Sequence, residues 1–494
     1  PVLNTEVYVD HYGYLFHDRE LREKKFVRTT GILLNELAKD PNNIYYRFQL
    51  AKSYGAHREK EKAYEEIKKA YRLIAADKIK KQLHIYVYGT YGLLCFENNR
   101  FDEAIRVCME GISLRPEYID LYYIVAGAYV KSNKSKEAFT AYEKYVELAG
   151  KYDDLAISAD RSIEMSYLDT RSLDTAYTYI SNEFYRNHEY EKSYGYAKLI
   201  SDEKVKTINS VKALLKLKKF EEIKAIYAGC VNSRNTCESI ELLIETESEN
   251  IPDYDRKQLW AAFSDGDGPY FILNRFRSAE EAEKEALRTR TLKEIDFGNM
   301  PEHYADILAD LETNPGYVIS ILKKLKKSKI IQYVQRLYNK KPEFEEFFEQ
   351  YALSGPVRDD DINALRVFTG VAYVILYIKA AVSKSSGTDF EEQYYTIFKR
   401  YIEKGHCYIK SLYNPERLRL YYRTLEDQED VFFIALNYAR EALERGNTRA
   451  AINYFREAAR ANVYMVGYMK KYKDELFGDA AEFGDDLDIN GREE

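Results

Sequence analysis

An all-α, right-handed solenoid of stacked helix hairpins is the fold this sequence predicts, and three observations predict it. Ala104 and Ala138 stand 34 residues apart, with Tyr88, Gly92 and Pro116 around the first and Tyr122, Ala126 and Tyr129 around the second. An earlier copy, at Ala63, precedes Ala104 by 41 residues, one period plus a seven-residue insertion around 76–81. Beyond residue 20 almost the whole chain has helical rather than strand spacing. Small residues at a fixed period mark the places where two antiparallel helices approach closely.

The period and pattern are those of the tetratricopeptide repeat. Residues 1–19 come first: Val2, Leu3, Val7, Tyr8 and Val9 read as one strand. A lone strand cannot satisfy its own backbone groups, so it is expected to complete a sheet upstream of Pro1, or else to lie as an extended arm on the first helices. Residues 20–150 carry the repeats. Phe26, Ile32, Leu33 and Leu37 form a leading helix that stops at Asp40-Pro41, and Leu50, Ala51, Tyr54, Ala63, Ile67 and Ala70 form the first hairpin. The second contains Ala104, Cys108 and Gly111, and the third ends around Tyr142. Residues 151–263 read as degenerate helical repeats, through Phe184, Ser193, Ala197, Leu214, Ile223 and Tyr227. The breaker cluster at 264–269 opens an irregular helical domain, 264–430. Ala439, Ala451, Phe455 and Ala458 restore one repeat in 431–473, and an acidic tail, 474–494, follows.

Composition excludes several classes of function. Hydrophobic residues at 45% and charged residues at 31% describe a folded chain rather than a disordered one. The net charge of −7 sits in the tail, which holds nine acids and one Arg, so the body is close to neutral and nucleic acid is not an expected partner. The longest uncharged apolar run, 367–378, has 12 residues and reads as a core helix, so no membrane span is expected. Five cysteines without metal-ligand spacing suit a reducing, cytoplasmic compartment, with Cys95 and Cys108 in the core. The 47 tyrosines suit helix packing and a binding groove, having an apolar body and a polar tip.

Enzyme signatures are absent: there is no phosphate loop, no His-Glu-x-x-His, no Cys-x-x-Cys and no nucleophile elbow. His406 and Cys407 are neighbours on a helix, where adjacent side chains diverge by about 100° and make no nucleophile–base pair. Asp265-Gly266-Asp267 has the form of a metal-gripping pair but reads as a solvated turn. Asp486, Asp488, Asn490 and Gly491 make half of a calcium loop and read as disordered tail. The basic run from Lys323 to Lys341, with Arg336 inside it, reads as a solvated helix face, neutralised by Glu343, Glu345, Glu346 and Glu349 or else open to an acidic ligand. No catalytic residue is assigned.

The groove is the expected site. Inward-facing positions of the first helices supply Tyr45, Phe48, Lys52 and Gly55, then Tyr86, Gly89, Leu93 and Phe96, then Asp120, Tyr123, Gly127 and Val130. Aromatics interleaved with small residues make pockets for an extended peptide. The Lys and Asn set with which some repeat proteins clamp a C-terminal carboxylate is missing.

At His11-Tyr12-Gly13-Tyr14, then Leu33-Leu34-Asn35-Glu36-Leu37 and Asp40-Pro41, the sequence resembles bacterial family 2 glycosyltransferases with C-terminal tetratricopeptide repeats, at the junction where the catalytic GT-A domain ends. Tyr401-Ile402-Glu403-Lys404-Gly405, Tyr408 and Tyr413-Asn414-Pro415 are similar to the helical tail of clostridial members. The resemblance implies a catalytic domain upstream of Pro1, a divalent metal (Mn or Mg) and a nucleotide sugar held there, and His11 matching the histidine that in such domains helps bind the metal. It implies that this segment alone carries no cofactor and no catalysis, and that the repeats grip a protein or peptide acceptor; flagellin is one such acceptor in that family. The alternative is a stand-alone scaffold for protein–protein interaction.

Overall fold

In the computed structural model, residues 19–160, 162–230, 233–309, 315–386 and 391–478 are described. The expected strand at 7–9, His11 and the calcium-loop residues from Asp486 onward lie outside them. Among the described residues there is no strand; all regular structure is helical. The chain divides into two compact units, Pro1–Ile251 and Pro252–Glu494.

In the first unit α1 (Arg19–Lys39) packs on α2 (Ile44–Ala56), and five hairpins follow: α2 with α3 (Lys60–Ile74), α5 (Tyr86–Glu97) with α6 (Phe101–Leu114), α7 (Ile119–Lys131) with α8 (Ser135–Ala149), α9 (Thr170–Arg186) with α10 (Tyr190–Ala197), and α11 (Glu203–Lys216) with α12 (Phe220–Gly229). The short α4 (Lys78–Leu83), capped by Asp77, fills the seven-residue insertion, and α13 (Arg234–Ser248) packs on α11. Each hairpin is closed by the same turn. Arg58, Asn99, Asn133, His188 and Lys218 all take φ between 56° and 66°. The next residue's amide bonds back to the last turn of the first helix, as in Glu59 N to Tyr54 O, 2.9 Å, and Lys219 N to Leu214 O, 3.0 Å. This is the Schellman closure, which answers carbonyls that the helix end leaves without partners. Its recurrence shows that the hairpins after residue 169 are built like the clean ones.

Small residues do what the period requires. Ala51, Ala63, Ala104, Ala126 and Ala138 are fully buried, and a Cβ at Gly92 would collide with the Cys108 sulfur. Most of the buried tyrosines bind the stack rather than a ligand. Tyr64 and Tyr91 donate to Glu103 at 2.7 and 2.6 Å, and Tyr71 and Tyr88 to Glu110 at 2.5 and 2.9 Å. Each ring fills the gap between hairpins while its hydroxyl ends on a carboxylate at the edge, so these four hydroxyls are all answered.

The second unit comprises α14 (Asp253–Ala262), α15 (Pro269–Ser278), α16 (Glu281–Glu294), α17 (Ala305–Ala309), α18 (Pro315–Leu322), α19 (Lys327–Lys340), α20 (Pro342–Ser354), α21 (Ile362–Ser386), α22 (Glu392–Leu412), α23 (Pro415–Tyr421), α24 (Gln428–Glu444), α25 (Thr448–Ala461) and α26 (Val466–Phe477). The apolar run 367–378 is the middle of the 25-residue α21. By length and composition Ile362–Ser385 is able to cross a membrane, but 56% of its most apolar window is buried inside the protein, where α21 packs on α19, α20 and α22. The pair α24 and α25 repeats the Schellman closure at Gly446, φ 75°, with Asn447 N to Ala442 O at 2.8 Å. The tail segments that carry the family resemblance serve packing here: Tyr401 donates to Glu429 at 2.7 Å, Gly405 leaves room for the Phe433 ring, and Asn414 caps α23.

Candidate functional site

The first helices α2, α5 and α7 face a cavity of about 580 Å³, within the range of ligand clefts, roughly 300–1,000 Å³. Tyr45, Phe48, Lys52, Tyr86 and Leu93 line it, as do Gly55, Gly89 and Asp120. The Phe48 and Tyr86 rings meet at 4.5 Å, and the Tyr86 hydroxyl bonds the His84 ring at 2.6 Å. Burial pushes the Tyr86 phenol up to about 12, so it stays a neutral donor. Gly89 is small for a reason: a Cβ there would collide with the Tyr118 hydroxyl on the cavity wall.

Four expected groove residues, Phe96, Tyr123, Gly127 and Val130, do not line the cavity. Phe96 packs against Phe101 at 5.6 Å, and a Cβ at Gly127 would touch its ring. Tyr123 lies under Tyr167, stacked at 4.4 Å and 23°, and next to Tyr145 at 5.2 Å. His11 is not among the described residues, and no group of three or more His, Cys, Asp or Glu is placed to hold a metal among them.

What covers Tyr123 is a part of the chain that pattern reasoning passed over. Between α8 and α9 the backbone makes two 3-10 turns, Tyr152–Asp154 and Ala156–Ala159, and then runs back along the groove, where Ser162, Glu164, Ser166 and Tyr167 form one of its walls. Asp120, 4% exposed on α7, accepts the amides of Ser166 and Tyr167 at 2.7 and 3.1 Å. Tyr145 donates to the Tyr167 carbonyl, and Lys52 reaches across from α2 to Glu164 at 2.9 Å. Burial pushes the Asp120 carboxyl up, to about 6, against the pull of the two amide bonds. Asp120→Asn keeps one acceptor oxygen and turns an NH2 toward the second amide. Losing a hydrogen bond to a charged group costs about 1.5–3 kcal/mol, so the Ser166 and Tyr167 amides are expected to exchange with solvent on the order of ten-fold faster or more in this variant. Unchanged exchange would show that other contacts hold the segment.

The second unit corrects the reading of the basic run. Lys323 pairs with Asp361 at 2.8 Å, Lys327 with Glu429 at 3.1 Å, and Arg336 and Lys340 with Asp306 at 2.8 and 2.6 Å. Lys329 and Lys341 donate to the carbonyls of Met300 and Ala309 at 2.8 and 3.1 Å. Most of the run is therefore engaged by partners far away in sequence, four side chains by acids and two by backbone carbonyls. The adjacent Glu345 and Glu349 pair with Lys379 instead, at 2.9 and 3.1 Å. Asp265 and Asp267 stand exposed on a turn that Arg275 holds through the carbonyls of Ser264 and Gly266. Burial pushes the His406 imidazole down to about 4 and the Cys407 thiol up, which leaves both neutral near pH 7 and neither primed for nucleophilic attack. A second cavity, about 360 Å³, lies beside His406, Tyr413, Leu418 and Tyr438.

The family model for the tetratricopeptide repeat matches residues 85–118 and 119–152, which hold α5–α6 and α7–α8; these residues are two tetratricopeptide repeats. No curated protein matches the chain. Among solved structures the chain is similar to MamA, at 21% identity and a TM-score of 0.28, over 43% of this chain and 98% of that one. It is also similar to the C-terminal part of a repeat-containing protein from Cytophaga hutchinsonii, at 14% identity and a TM-score of 0.32, over 58% and 97%. A third likeness is to the Naa15/Naa10 structure bound to HypK-THB, at 14% identity and a TM-score of 0.28, over 94% and 76%. None of these findings shows a glycosyltransferase origin.

Proposed function

We propose that the chain is a protein-interaction scaffold whose repeat groove takes an extended peptide segment of a partner. The carrying observation is the aromatic-lined cavity where α2, α5 and α7 converge, with Tyr45 half-exposed at 52% beside the Phe48–Tyr86 pair. An extended peptide buries alternate side chains in such pockets and leaves its backbone to the polar rim. Aromatic anchors of this kind carry about 2 kcal/mol or more of binding energy. In a peptide-array screen of the full chain, Tyr86→Ala is expected to weaken the selected peptides about 30-fold. Undiminished binding would move the site elsewhere. The proposed compartment is the cytoplasm, in keeping with five free cysteines.

The finer reading makes that partner the acceptor of a family 2 glycosyltransferase, with metal and nucleotide sugar in a domain upstream. Its support is the resemblance at 11–14, 33–41 and 401–415. Holding a remote part of an acceptor would place its reacting group beside the donor carbon. The N-terminus and intact mass of the native polypeptide test it: an upstream extension of a few hundred residues favours it, and a native start near Pro1 removes it.

A further inference from the structure

The groove is already partly filled, and its occupant has the form of a ligand. Residues 162–168 run along the inner face of α7 and reach α2. They place a carboxylate on Lys52, two main-chain amides on Asp120 and an aromatic ring on Tyr123. All three partners are first-helix residues at inward-facing positions. Charge on charge, amides on a carboxylate and ring on ring are also the contacts by which a repeat groove would read a foreign extended peptide.

The hold is divided unevenly. Ile163, 8% exposed, joins the core, and the Asp120 amide bonds are shielded from water. The Lys52–Glu164 pair, by contrast, has side chains 45% and 79% exposed, so water and salt weaken it. The cavity continues past the segment to Tyr45, Phe48 and Tyr86, giving a longer peptide a free place to land first.

We propose that residues 162–168 are a resident pseudo-ligand, and that the partner is an extended peptide of the same chemistry, an acidic side chain followed three residues later by an aromatic one, which takes Lys52, Asp120 and Tyr123 from the segment. The inference rests on the groove being the peptide site. A tethered occupant competes at high effective concentration, so the free protein binds such peptides weakly, in proportion to the fraction of molecules whose segment is open.

The probe is a fluorescein-labelled peptide copying residues 162–169, titrated into the full chain by fluorescence anisotropy. The Glu164→Gln, Tyr167→Ala double variant is expected to bind it at least about ten-fold tighter than the wild type. Glu164→Gln alone changes one exposed side chain and keeps the fold; it is expected to bind about three-fold tighter. A probe with Gln in place of its Glu is expected to bind the double variant about three-fold more weakly, a difference that disappears when Lys52→Gln is added. If the variants bind the probe no better than wild type while array peptides still bind and lose affinity in Tyr86→Ala, the segment is a fixed wall and this inference falls, with the groove reading intact. If no peptide shows Tyr86-dependent binding, both fall.

Discussion

Asp306→Ala is expected to destabilise the second unit by about 3–5 kcal/mol, the range for removing one partner of a buried ion pair, read from the shift in denaturant midpoint. Asp306 is 6% exposed and faces three cations: Arg277 at 2.6 Å, Arg336 at 2.8 Å and Lys340 at 2.6 Å. The substitution leaves those charges at a buried site without their common counter-ion. Burial raises the cost of ionising Asp306, yet the Arg277, Arg336 and Lys340 charges outweigh it and hold the carboxyl well below the usual range. A group depressed in the folded state contributes fully above its unfolded pKa, about 3.9. That contribution is lost as pH falls through the folded value, so the gap between wild type and variant should be constant at neutral pH and shrink only in strong acid.

Lys327→Met is expected to cost a similar amount, about 3–5 kcal/mol, but with a pH dependence that sets in at milder acid. The Lys327 side chain is 11% exposed, 3.1 Å from Glu429 and 3.8 Å from Asp430, which are themselves buried. Burial pushes both carboxyls up, and without the lysine it acts on them unopposed except by the Tyr401 and Tyr413 hydroxyls. Groups whose pKa is raised on folding take up protons in the folded state first, so the variant should regain stability as pH falls toward the raised values. Midpoints of the two variants measured at pH 5 and pH 8 separate these cases. A loss below 1 kcal/mol in either would show that the basic run is not held from inside, and would reopen it as a face for acidic ligands.

These two sites also show where pattern reading fails. The acids that engage Lys323, Lys327, Arg336 and Lys340 are Asp361, Glu429 and Asp306, 30 to 102 residues from their partners. A local window sees only Glu343 to Glu349 and assigns the neutralisation to them. Hairpins, by contrast, are legible because their geometry recurs at short range: Ala63, Ala104 and Ala138 had to be small wherever helices cross. None of the five turns carries glycine, so the helix-stop signal was missing from clean and faint hairpins alike; those after 169 were fainter because the small residue five positions past the turn, Ala63, Ala104 and Ala138 in the clean copies, is Ser193 and then Ile223 there. Of the groove, α2 and α5 could be read from Tyr45, Phe48, Lys52, Tyr86 and Leu93. Of the third repeat only Asp120 could, because residues 151–169 have no periodicity to reveal that they return over Tyr123. The one available signal was the length of that interval, far beyond a hairpin turn and rich in Asp and Ser.

The central claim, that the repeat groove is the working surface, is tested most directly by hydrogen exchange of the full chain with and without a peptide selected from the array. The account predicts slowed exchange in 44–56 and 86–97, with 406–441 unchanged. Protection confined to the second unit, around the cavity beside His406 and Tyr438, would contradict it.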